Sequence, residues 1–269
     1  MRDTPYPITK SRSRLSRVLQ QAGDLISVGD VSKALEVERV GAAKLLARWN
    51  TQGWVRRLRR GYYAPVPIAS LGQDQVLEDA WVMVPELFNP GCIGGWSAAE
   101  HWGLTEQIFR STCVLTARPV RKKEQIIQGL PFALKHVPAS ALFGTRAVWR
   151  GQARVPLTSP AKTIVDMLDD PAIGGGIRHV ADCLRNYLAR DDAQPDELIA
   201  TAKQLGNGAV FKRLGFLAER EPGQEELVEA CRERLTQGNA RLDPAVPSKR
   251  LVKRWRLWVP ASWAGKRPA

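Results

Sequence analysis

Arg56, Arg57, Arg59 and Arg60 place four guanidinium groups within five residues. Each is permanently charged and offers a planar fork of donors that fits phosphate oxygens or the acceptor edge of guanine. Lys44 and Arg48 lie just upstream, four residues and so one helical turn apart, with Arg39 and Thr51 flanking them. No partner base or metal-ligand pattern accompanies these residues. Their chemistry is hydrogen bonding to a polyanion, and the candidate binding set is Arg39, Lys44, Arg48, Thr51, Arg56, Arg57, Arg59 and Arg60. The competing account is a solvated basic surface with no ligand.

The elements that must position them read from Val37 to Val66. With Leu46 taken as the centre of a buried face, stepping about 100° per residue puts Ala42, Ala43 and Trp49 beside it. Gly41, Lys44, Arg48 and Thr51 fall opposite. One face would pack on a core while the other lies in a major groove. Gly53 suits the left-handed residue that ends a helix. Trp54 and Val55 open a strand, Gly61 turns it, Tyr62 and Tyr63 start the return, and Pro65 and Pro67 end it. Two helices precede this unit, over 11–22 and 27–35, the second with Asp30 and Ser32 as cap candidates. Three helices and a basic hairpin form a winged helix-turn-helix pattern.

The 269 residues leave room for a second core. The net charge of +13 is unevenly placed. Residues 1–66 carry +8, residues 245–269 carry +7, and the span between them carries −2. A polyanion would therefore meet the two ends. Cys92, Cys113, Cys183 and Cys231 have no metal-knuckle or redox spacing and read as core residues of a reducing cytosol. Residues 1–10 look disordered, and neither an export signal nor an apolar run of about 18 residues occurs.

After an expected hinge over 68–74 come a helix over 75–88 and a short helix capped by Ser97 and ended by Gly103. Strands follow over 112–116, 130–137, 146–149 and 153–157. The pattern then turns helical: a helix capped by Ser159 and stopped by Pro171, then 177–188, 195–205, 209–217 and 225–235. Residues 236–250 read as loop, and 254–259 as a strand with Trp255, Leu257 and Val259 on one side. The tail reads either as a second DNA contact or as an edge strand protected by its cations. Trp255 would anchor it, leaving Lys253, Arg254 and Arg256 exposed.

Catalytic candidates are weak. His101, His136 and His179 are scattered and read as structural. Asp166 reads as sitting on a helix, with Asp169 and Asp170 at its end beside Pro171, where capping or solvation is the simpler account than a metal site. Gly174, Gly175 and Gly176 precede a helix and could cradle a phosphate, but lack the frame of a phosphate-binding loop. No motif of nucleophilic or metal-dependent catalysis is present, so no enzyme activity and no cofactor are expected.

Five blocks carry a family resemblance: GWVRRLRRGYYA (53–64), WSAAEHWGLTEQI (96–108), LTSPAKTIVDMLDDP (157–171), GGIRHVADCLRNYL (175–188) and KRLGFLAE (212–219). In this order they resemble the AbiEi antitoxins of type IV toxin–antitoxin systems, over roughly residues 10–235. The resemblance implies a winged-helix domain followed by an α+β antitoxin domain, repression of its own operon through double-stranded operator DNA, and a cognate nucleotidyltransferase toxin opposed without a stable complex. It places Lys44, Arg48 and the hairpin arginines in the DNA-binding part.

The expectation is a cytoplasmic α+β protein without a membrane partner, with a winged helix-turn-helix domain over 1–68 and a larger mixed domain over 69–269. The rivals are a ligand-sensing winged-helix transcription factor without a toxin partner, and a nuclease delivered by the winged helix.

Overall fold

The protein is described by a computed structural model over residues 10–22, 25–66, 79–151 and 153–263. It is a mixed α+β fold. Residues 1–9 and the expected hinge over 68–74 lie outside the described residues.

The N-terminal part runs α1 (Lys10–Ala22), β1 (Ile26–Ser27), α2 (Val28–Leu35), α3 (Arg39–Thr51), β2 (Val55–Arg59) and β3 (Tyr62–Pro65). The strands pair in the order β1-β3-β2, all antiparallel. Ser27 caps α2, in place of the expected Asp30 or Ser32. Its hydroxyl accepts from the Asp30 N–H, while the Asp30 carboxylate accepts from the Ser27 N–H, a reciprocal capping box. Ser32 serves the other end, where its hydroxyl donates to the Val37 carbonyl. Gly53, at φ +73°, follows α3 as its composition requires. Val18, Ile26, Val31, Ala42, Leu46, Trp49, Val55 and Tyr63 form the core here. The Trp49 indole is fully buried and donates to the Ser11 hydroxyl at 3.1 Å, so its polar edge is not stranded.

The helix expected over 75–88 is shorter where it is described. A 3-10 turn, Ala80–Met83, runs into α4 (Val84–Leu87). Pro85 at the start of α4 lacks the N–H that a continuous helix would use. A six-stranded mixed sheet follows: β4 (Gly91–Ile93), β5 (Thr112–Thr116), β6 (Glu124–Ile127), β7 (Leu130–His136), β8 (Thr145–Arg150) and β9 (Ala153–Thr158). Its order is β6-β7-β5-β4-β9-β8. β4 and β6 are additions to the expected strands, being three and four residues long and without a clear alternation. Between β4 and β5 lies α5 (Gly95–His101). Ser97 does not cap it. Gly94 holds that position, and the Ser97 hydroxyl, inside the helix, accepts from the Cys113 N–H at 2.9 Å.

The second half is α6 (Pro160–Asp169), α7 (Ile177–Leu188), α8 (Pro195–Leu205), α9 (Gly208–Ala218) and α10 (Glu225–Arg232). Ser159 caps α6 as expected, its hydroxyl accepting from Lys162. The chain closes with a three-stranded sheet, β10 (Ala240–Arg241), β11 (Arg250–Val252) and β12 (Leu257–Val259), in the order β10-β12-β11. The expected strand over 254–259 is interrupted, because Lys253–Trp255 form a 3-10 turn and Arg256 is left-handed at φ +50°. Trp255, Leu257 and Val259 nevertheless all reach the core. β12 is paired on both sides, so it is not an edge strand.

The hairpin β2–β3 contributes side chains to two apolar clusters. Val55 and Tyr63 join the N-terminal core. Leu58 and Ala64, with Leu25, join a second cluster that contains Met83, Val84, Leu87, Val114, Phe132, Leu134, Val155 and Leu157. A bulge between Arg57 and Arg59 shifts the register at Leu58.

Candidate nucleic-acid interface

The solvent face of α3 follows from helical geometry. Ala42, Leu46 and Trp49 are buried. On the opposite side Val40, Lys44, Ala47, Arg48 and Thr51 fall within about 100° of arc, and all are exposed. The sequence centre at Leu46 was right, but Ala43, at the margin between the two sides, is exposed. Val40 is 65% exposed, which sequence reasoning missed. An exposed β-branched residue beside Lys44 offers apolar contact of the kind a thymine methyl accepts. Arg39, also exposed, stands at the first turn of α3, off this stripe.

Two bonds fix the hairpin against the end of α3. The Asn50 carboxamide oxygen accepts from the Arg57 N–H at 2.9 Å, and the Trp54 N–H donates to the Trp49 carbonyl at 2.9 Å. Arg57 and Arg60 are exposed and Arg56 is half-buried. Arg59 stands opposite Tyr62 in the register. Among the described residues no ion pair involves Arg39, Lys44, Arg48, Arg56, Arg57 or Arg60. The structure therefore brings Lys44, Arg48 and Thr51 onto one surface with the hairpin beside it. Cations without internal carboxylate partners can exchange bound water for phosphate oxygens without first breaking a protein contact.

Two of the tail cations behave differently. Arg254 donates through Nε and Nη2 to Glu219, and the Trp255 indole donates to the same carboxylate oxygen at 3.0 Å. Arg256 donates to the Thr236 carbonyl at 3.0 Å. Burial pushes the Glu219 carboxyl up. The bonds from Arg254 and Trp255 and the charges of Arg254 and Arg232 outweigh that and hold it below the usual carboxylate range.

His136 is exposed, and the other catalytic candidates described next are held by internal partners. Both ring nitrogens of buried His179 are engaged, with the Gly174 carbonyl at 2.6 Å and the Thr105 hydroxyl at 2.8 Å. His101 lies against the Trp81 and Trp102 rings, and burial followed by the charge of Arg150 holds it below the ordinary histidine range. Gly175 and Gly176 do lead into α7 in left-handed conformations, but the Asp243 carboxylate accepts from the first N–H of that helix at 3.0 Å. A carboxylate already stands where a phosphate would bind. Asp170 caps the following turn, as expected, and also pairs with Lys135. Asp166 is neither a cap nor solvated. It is buried in an ion pair with Lys162, and one of its oxygens has no hydrogen-bond partner. Burial pushes its carboxyl up to about 6 against the opposing charge and hydrogen bond of Lys162.

One open cleft of about 920 Å³ lies elsewhere, between the end of α9, α10 and the tail. Charged side chains such as Glu225, Glu229 and Arg232 line it. Among the described residues no helix is long and apolar enough to cross a membrane.

No protein-family model matches the chain, and no curated protein matches it. Among solved structures, the crystal structure of the RV2827C protein from Mycobacterium tuberculosis is similar at a TM-score of 0.61 and 16% identity. The match covers 94% of this chain and 92% of that one. At that identity the likeness concerns the fold, and it extends over nearly the whole of both chains.

Proposed function

We propose that the chain is a cytoplasmic DNA-binding repressor of the AbiEi antitoxin type. In this reading residues 10–66 are a winged helix-turn-helix, α3 is its recognition helix and β2–β3 its wing. The larger part opposes a cognate nucleotidyltransferase toxin, and no catalytic step is assigned to it. The observation that carries the DNA-binding half is the exposed stripe of α3 with the arginine hairpin tied beside it through Asn50. Lys44 and Arg48 supply donors for base acceptors or phosphates, Val40 and Ala47 supply apolar contact, and the hairpin supplies charge for the phosphate backbone. The antitoxin half rests on the five sequence blocks named above.

The full-length protein should bind a duplex taken from immediately upstream of its own gene at least about tenfold more tightly than a scrambled duplex, a difference of about 1.4 kcal/mol. Equal weak affinity for both would remove the repressor reading, and no binding to either would remove DNA binding altogether. For the antitoxin half, co-expression should restore growth to cells carrying the nucleotidyltransferase encoded beside it. Continued growth arrest with the protein folded and abundant would overturn that half.

The cleft beside α10 favours a second reading, a winged-helix transcription factor that senses a ligand and has no toxin partner. The absence of a neighbouring nucleotidyltransferase gene, together with release of DNA by a small molecule, would select it.

A further inference from the structure

The span 67–244 is close to neutral as a whole, yet Arg118, Arg121, Lys122 and Lys123 fall within six residues of the loop between β5 and β6. All four are exposed. Among the described residues none of them is in an ion pair.

Three contacts locate this loop relative to the β2–β3 hairpin. Val120, in the middle of the loop, packs against the same apolar cluster that receives Leu58 and Ala64 of the hairpin. Arg118 donates through Nη1 to the Leu87 carbonyl at 3.1 Å, at the end of α4, which lies over that cluster. At the opposite end of β6, the Gln128 carboxamide donates to the Arg57 carbonyl at 2.9 Å. The loop and the hairpin therefore pack on one apolar cluster, at the two ends of β6. They are separated by about the length of β6, four residues or about 13 Å. That is well under one turn of a DNA duplex, about 34 Å.

The loop is also held in place. The Arg118 N–H donates to the Thr116 hydroxyl at 3.1 Å, and the Lys123 carbonyl accepts from Leu134 at 2.6 Å. Side chains on an anchored backbone lose less freedom on binding than those on a free segment.

We propose that Arg121, Lys122 and Lys123 form a second contact with the phosphate backbone of the duplex held by α3 and the hairpin. This rests on the DNA-binding reading above and extends its footprint onto the larger part of the chain. The partner is the sugar–phosphate backbone and not the bases, because the loop offers charge without a helix or ribbon to enter a groove. Arg118 sets the loop's position through Leu87 and is kept out of the contact set.

The test uses the full chain and a random-sequence duplex about 30 base pairs long, three helical turns. Affinity is measured across a salt series for the wild type, for R121A/K122A/K123A and for R57A/R60A. Each lost phosphate contact should lower the slope of log affinity against log salt by about 1, so the loop variant should lose about 2 to 3 and the hairpin variant about 2. A conservative R121K/K122R/K123R variant should keep the wild-type slope. If the loop variant keeps the full slope while the hairpin variant loses its share, the loop does not touch DNA. The second contact is then overturned and the DNA-binding reading stands; its cations would face an acidic protein instead. If the wild type shows no salt-dependent binding, both fall together.

Discussion

Two ends of this chain carry nearly the same excess of cations, and the structure engages them differently: in the tail Arg254 and Arg256 are held by internal partners, while Lys249, Arg250 and Lys253 are exposed and in no ion pair among the described residues. In the N-terminal part Lys44, Arg48, Arg57 and Arg60 are exposed and outside any ion pair among the described residues. In the tail Arg254 is bound to Glu219 and Arg256 to the Thr236 carbonyl, beside a fully buried Trp255. A guanidinium already bonded to a carboxylate must break that bond to meet a phosphate. Equal net charge is thus not equal capacity to bind a polyanion, and a tally of charge by segment overstates the share of Arg254 and Arg256.

The largest test of this contrast is Trp255→Ala. Gly215 of α9 has no room for a side chain because the Trp255 ring lies against it. Removing that ring leaves a large cavity and should cost about 3–5 kcal/mol in urea unfolding, while the folded fraction binds DNA with unchanged affinity. A stable variant that loses DNA binding would reverse the assignment. Next in size is Arg48→Ala, which should weaken operator binding by about 1–3 kcal/mol if Arg48 reads a base. An equal drop on operator and scrambled duplex would make it a phosphate contact only. The smallest expected change is for K253A/R254A/R256A, whose salt dependence of DNA binding should match the wild type. A slope reduced by about 2 or more would place the tail on the DNA and erase the contrast.

Much of the N-terminal part was legible in the sequence because local signals agreed there. The 3.6-residue spacing of Ala42, Leu46 and Trp49, the glycine at 53 and the arginine hairpin all point to the same elements. Ala43 was misplaced because alanine is compatible with either side of a helix. The Ser159–Pro160 start of α6 was readable because a capping serine stands next to a periodic apolar stripe. β4 was not readable, because three residues cannot show a period and its pairing with β5 and β9 is set by distant chain. The tail was read as one strand since Trp255, Leu257 and Val259 alternate. Arg256 instead turns left-handed and delivers the same three side chains inward by another path. The basic loop at 118–123 was hidden by averaging over a long, nearly neutral span. Only the contacts of Val120, Arg118 and Gln128 reveal that it packs on the same apolar cluster as the hairpin.

The hairpin's place in two apolar clusters has a consequence for how such a protein can change over generations. Val55 and Tyr63 answer to one core, Leu58 and Ala64 to another. A recombination event that joined residues 1–66 to a foreign C-terminal part would inherit a hairpin cut to fit the lost neighbour, with Leu58 left against an unmatched surface. The N-terminal part is therefore not a freely transferable cassette. Substitutions at Leu58 and Ala64 are constrained by the sheet beneath them, so at this contact the two parts of the chain are not free to vary independently, even where their charges differ.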